Sequence, residues 1–119
     1  MGTAKIKRLN HMYISDSARK HLGLINKALD HGLPFPGLYV ITFSSNEIDQ
    51  LSIMDTKYLL KKMVRERLPE VVALAMGRQD AFELVRKMAE DAFRSTGGCD
   101  LKEHLLSMQN KPEISGTGE

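Results

Sequence analysis

The stretch Val71-Val72-Ala73-Leu74-Ala75-Met76 is an unbroken apolar run, closed at once by Gly77. Behind it, Ala81, Phe82, Leu84, Val85, Met88, Ala89, Ala92 and Phe93 recur at spacings of three and four. A short apolar run between turn signals reads as a strand buried on both faces, and the spacing after it reads as an amphipathic helix. The stretch therefore predicts a buried strand, a tight turn at Gly77 and a helix from about Gln79 to Ser95. That is half of a βαβ unit, and the rest of the chain is expected to pack around it.

Three further helices and one strand can be read with the same rules. Ser15-Asp16-Ser17 supplies N-cap chemistry for a helix over Ala18 to His31, with Ala18, Leu22, Ile25, Ala28 and Leu29 at helical spacing. Gly32 stops it, and Pro34 and Pro36 prevent its return. Leu38-Tyr39-Val40-Ile41-Thr42-Phe43 is β-branched and aromatic, a strand signal. Ile48 to Met54 reads equally as a helical turn or a short edge strand. Asp55 and Thr56 are caps for a helix to about Arg67, with Leu59, Leu60, Met63 and Val64 as its apolar stripe. Asp100-Leu101-Lys102-Glu103 resembles a capping box opening a short helix to about Met108. Met12-Tyr13-Ile14 is short enough to be a strand or a lead-in to a helix.

Strands alternating with helices imply parallel pairing. The expected fold is α/β: a single domain with a small, mainly parallel sheet of two or three strands, packed by about four helices. Its 119 residues, 42% of them hydrophobic, suit one domain. Residues 1–10 are expected to form a mobile basic arm, 11–108 the domain and 109–119 a disordered tail. The expected core is Leu22, Ile25, Leu29, Leu38, Val40, Ile41, Phe43, Leu59, Leu60, Met63, Val71, Val72, Leu74, Ala75, Phe82, Val85, Met88, Ala89 and Phe93. So small a sheet has exposed edges, which favours a second copy as partner, a homodimer.

Chemistry is sparser than fold. In parallel sheets, ligands bind beyond the carboxyl ends of the strands. Those ends read Ser44-Ser45-Asn46-Glu47 and Gly77-Arg78-Gln79-Asp80, with Ser15-Asp16-Ser17 joining them if Met12–Ile14 is a third parallel strand. Ser44, Ser45, Asn46, Glu47, Gly77 and Arg78 are the candidate site for a small anion. The plainer reading is that these residues are caps and turns. Arg78 is the one it explains least, and Asp80 competes with any anion for the free helix N–H groups. Lys57, Lys61, Lys62, Arg65 and Arg67 form a basic patch, interrupted by Glu66 and accompanied there by one aromatic, Tyr58. A solvated face accounts for such a patch more simply than nucleic acid does.

His11, His21, His31 and His104 are too scattered for a metal site and are expected to be solvated. Cys99 is a lone cysteine at a helix start, so no internal disulfide exists and a reducing, cytoplasmic setting is expected. No phosphate-loop or dinucleotide fingerprint follows either strand, and no cofactor is implied. The amino terminus lacks the apolar core of a signal peptide, and no apolar run is long enough for a membrane span. No stretch matches a family signature. The leading expectation is thus a small cytoplasmic interaction module that self-associates without catalysis of its own. Its alternatives are an anion-binding enzyme or domain with a site at the strand ends, and a nucleic-acid binder using 57–67.

Overall fold

The computed structural model describes residues 6–44, 50–98 and 100–109. In chain order the elements are β1 (Arg8–Ile14), α1 (Asp16–Arg19), α2 (Leu22–Asp30), β2 (Leu38–Phe43), β3 (Leu51–Asp55), a 3₁₀ turn (Thr56–Leu60), α3 (Lys62–Arg67), β4 (Val71–Met76), α4 (Arg78–Thr96) and α5 (Leu101–Met108). The four strands form one sheet in the order β1-β4-β2-β3. Only β1 and β4 run parallel; β2 is antiparallel to both β4 and β3.

The expected mainly parallel sheet of two or three strands is therefore corrected. The ambiguous Ile48–Met54 stretch supplies β3 at Leu51–Asp55, and β3 returns on β2 as a hairpin. That reversal turns the next crossover round, so β4 arrives antiparallel to β2. Helices alone separate β1 from β2, yet these strands also run in opposite directions, since β1 is parallel and β2 antiparallel to β4.

β4 is central and its residues Val71 to Ala75 are fully buried. The pairing of β2 with β4 slips between Ile41 and Thr42, whose partners are Ala73 and Val71. Val72 is the extra residue, and such a bulge resets the two-residue alternation. Val71 and Leu74 consequently face one layer, with Ile6, Ala18, Ile25, Leu29, Leu38, Val40 and Leu59. Val72, Ala73 and Ala75 face the other, with Leu9, Ile41, Ala81, Leu84, Met88, Ala92, Leu101 and Leu105. Helices α1 and α2 and the 3₁₀ turn cover the first face; α4 and α5 cover the second.

β1 starts at Arg8, inside the stretch assigned to the arm, and Ile6 and Leu9 are buried. The α4 stripe is narrower than the sequence suggests. Ala81, Leu84, Met88 and Ala92 are buried, whereas Phe82 and Phe93, each one residue further round, are 48% and 56% exposed. Leu60 and Met63, also expected in the core, are exposed. The expected 55–67 helix breaks at Lys61, which is extended. Arg65 reaches back to bond the carbonyls of Leu59 and Leu60, at 2.7 and 3.3 Å, that the break leaves free. The expected helix over Ala18 to His31 likewise divides into α1 and α2 at Lys20–His21.

The two sheet edges differ. On β1 the Gln109 side chain behaves as a piece of strand: it accepts from His11 N–H at 2.9 Å and donates to His11 C=O at 3.0 Å. β1 also departs from strict register, since Arg8 pairs with Val71 but Tyr13 with Ala73. β3, by contrast, has no backbone partner on its outer side among the described residues.

Candidate functional site

The expected convergence of both strand-end loops does not occur. Leu38 pairs with Met76, so β2 begins where β4 ends. Ser44 follows the far end of β2, about 20 Å from Gly77 at ordinary strand rise. Ser45, Asn46 and Glu47 lie outside the described residues. Ser44 N–H bonds Gln50 C=O at 3.1 Å, closing the β2–β3 hairpin.

Gly77 and Arg78 do lie together at the carboxyl edge. Gly77 is the α4 N-cap, with φ 94° and ψ 156°, and its N–H bonds Gly37 C=O at 2.9 Å. Asp80 does not occupy the helix N–H groups: its carboxylate accepts from Met76 N–H at 2.8 Å instead. Arg78 turns toward β2 and β3, with its guanidinium 5.6 Å from the centre of the Phe82 ring.

There Arg78 meets part of the basic patch. A hollow of about 490 Å³ is lined by Tyr39, Ile53, Met54, Asp55, Lys57, Tyr58, Arg78 and Phe82. Lys57 Nζ lies 5.4 Å from the centre of the Tyr58 ring. Asp55 caps the 3₁₀ turn, accepting from Lys57 N–H at 2.9 Å. Two cations and three aromatic rings thus share one concave surface, drawn from four elements. The other basic residues do not join it: Arg65 is held by Leu59 and Leu60, and Lys62 pairs with Glu66 at 3.8 Å. Lys61 and Arg67 are exposed. The sequence carried a partial signal, because Arg78 and Phe82 are i, i+4 neighbours and Lys57 precedes Tyr58. Tyr39 and Ile53 join them only through the sheet.

On the other flank of α4 a cleft of about 650 Å³ runs beside β1 and α1, lined by Tyr13, Ser15, Asp16, Arg19, Asp80, Glu83 and Lys87 among others. Ser15 joins the carboxyl edge as anticipated, but its hydroxyl caps α1, accepting from Ala18 N–H at 3.1 Å.

Tyr13 and Asp91, which line that cleft, begin a polar chain that sequence reading missed. The Tyr13 hydroxyl donates to Asp91 at 2.8 Å and lies 3.0 Å from His104 Nε2. His104 Nδ1 lies 2.9 Å from the Ser95 hydroxyl. His104 is 7% exposed, not solvated, and it ties α5 to β1 and α4. The Tyr13 hydrogen bond holds the Asp91 carboxyl below the usual carboxylate range, against the opposing effect of burial and with help from Lys87 and Arg94. Burial, then the neighbouring Asp91 carboxylate, pushes the Tyr13 phenol above its ordinary value of 10.0. These residues meet from distant parts of the chain, so no local motif announces them.

Among the described residues no His, Cys, Asp and Glu grouping is able to hold a metal ion, and no helix is long and apolar enough to cross a membrane. Comparison with known proteins returns no matching family, no matching curated protein and no matching solved structure.

Proposed function

We propose that this chain is a small cytoplasmic interaction module that works as a homodimer, without catalysis of its own, and that β3 is the seam. The supporting observation is the contrast between the two edges of the sheet. Natural edge strands are protected by charge, proline, bulges or a covering group. β1 has the irregular register, Arg8, His11 and the Gln109 amide. β3, Leu51-Ser52-Ile53-Met54-Asp55, has no proline, no lysine and one charge at its end.

The alternation of antiparallel bonding supports the same seam. Ser44 bonds Gln50 across the hairpin, so Ser52 and Met54 bond inward to β2. The N–H and C=O groups of Leu51, Ile53 and Asp55 then point outward. A two-fold axis at Ile53 pairs Ile53 with its own copy and Leu51 with Asp55 of the second chain, an isologous contact.

Sedimentation equilibrium at micromolar concentration tests the proposal. A dimer is expected, and Ser52→Lys, an exposed position on the strand, is expected to shift it to monomer. A wild-type monomer at these concentrations overturns self-association. A dimer that Ser52→Lys leaves intact overturns β3 as its seam.

A further inference from the structure

We infer that the hollow between β2, β3 and the start of α4 binds a phosphate-bearing aromatic base, as a free mononucleotide or as one residue of a single-stranded nucleic acid. The hollow is formed within one copy of the chain, so this inference does not rest on self-association.

Its lining combines two kinds of group that few ligands need together. Tyr58 and Phe82 present their rings at 44% and 48% exposure, and Tyr39 completes the wall. Large aromatic surface is left in water at a cost, and a flat ring stacked on it removes that cost. Base–aromatic stacking is the sequence-tolerant means by which proteins hold unpaired bases. The Lys57 ammonium and the Arg78 guanidinium lie over the Tyr58 and Phe82 rings, 5.4 and 5.6 Å from their centres. Neither has a carboxylate partner among the described residues. A planar guanidinium matches phosphate oxygens in pairs, and the ammonium adds a point charge. The one acid in the lining, Asp55, already caps the 3₁₀ turn.

Size and sign narrow the ligand further. A volume of about 490 Å³ is in the range of small-molecule sites. A bare inorganic anion leaves the three rings without a use, and an apolar ligand strands two cations. A base with its phosphate uses both. Outside the hollow, Lys61 and Arg67 are exposed and follow Lys57 in the sequence. A single strand is long enough to meet cations outside the hollow, whereas a mononucleotide is not.

The test titrates adenosine monophosphate, uridine monophosphate, adenosine, inorganic phosphate and a twelve-residue single-stranded oligonucleotide against the full chain. Backbone amide shifts of residues 53–58 and 77–82 are followed, with tyrosine fluorescence as a second readout. Saturable shifts are expected with the nucleotides, weaker ones with adenosine or phosphate alone. Phe82→Ala is expected to weaken nucleotide binding roughly five- to 150-fold, the range for one base–aromatic stack. Arg78→Ala is expected to weaken it and to flatten its salt dependence. Both positions are exposed, and circular dichroism checks that each variant is folded. Ser52→Lys is expected to leave the affinity unchanged, which separates this site from the dimer seam. An oligonucleotide that binds much more tightly than the monophosphates, with a salt slope reduced in a Lys61→Ala, Arg67→Ala double variant, identifies the strand as the source. Equal affinities identify the free nucleotide. No saturable shift from nucleotide or oligonucleotide at millimolar concentration overturns the inference. So does phosphate that binds as well as nucleotide, or nucleotide binding that survives both Phe82→Ala and Arg78→Ala.

Discussion

Tyr13 on β1 donates its hydroxyl hydrogen to the Asp91 carboxylate on α4 at 2.8 Å, joining residues 78 positions apart in the chain. The same oxygen accepts from His104 on α5 when Nε2 carries the proton. One hydroxyl therefore links the edge strand to both helices of that layer.

Tyr13→Phe tests what that link contributes. It removes the bond to Asp91 and leaves His104 Nε2 buried without its partner, while the ring packing stays. Losing a hydrogen bond to a charged group and orphaning a buried one costs about 1–3 kcal/mol. Urea unfolding is expected to show a lower midpoint with an unchanged slope. A midpoint equal to that of the wild type means the chain is ornamental to stability.

The pH dependence follows from the same contact. The folded Asp91 carboxyl is held low, chiefly by the Tyr13 hydrogen bond. Its contribution is complete above the unfolded value, about 3.9, and is lost as pH falls through the lower folded value. The Tyr13 phenol is raised, so its contribution is complete below about 10 and is lost as pH rises beyond. Asp91→Asn is expected to flatten the acid limb of the stability profile. Unfolding curves between pH 2 and 6 measure this, and parallel limbs in wild type and variant contradict it.

Gly77 makes the turn between β4 and α4 at φ 94° and ψ 156°. This region is closed to residues with a Cβ, at a cost of about 1–3 kcal/mol. A Cβ there meets no atom within 4 Å, so the penalty is conformational and not a clash. Gly77→Ala is therefore expected to destabilise by that amount while leaving the packed core unchanged. A loss below about 0.5 kcal/mol, the ordinary range for neutral surface changes, argues against strain at this turn.

Gln109 occupies both backbone groups of His11 on the outer side of β1. Gln109→Ala is expected to expose them, at about 1 kcal/mol for ordinary hydrogen bonds. Hydrogen exchange at the His11 amide reads the change directly. Continued protection of that amide in the variant shows that another group covers the edge.

What the sequence determined by itself is local. The apolar run at Val71–Met76 became β4, Gly77 became the α4 cap, and Asp100 caps α5 by accepting from Glu103 N–H at 2.9 Å. In each case the residues that decide are neighbours, so propensity, cap chemistry and φ preference suffice. Tertiary structure decided the direction of β4 against β2, the bulge at Val72, and the exposure of Phe82 and Phe93 despite their apolar spacing. It alone brought Arg78 to Lys57 and Tyr58, and Tyr13 to His104. Those outcomes depend on which strands pair and in what register. Pairing is set by the sum of burial over both faces of the whole sheet, a quantity that no window of neighbouring residues contains.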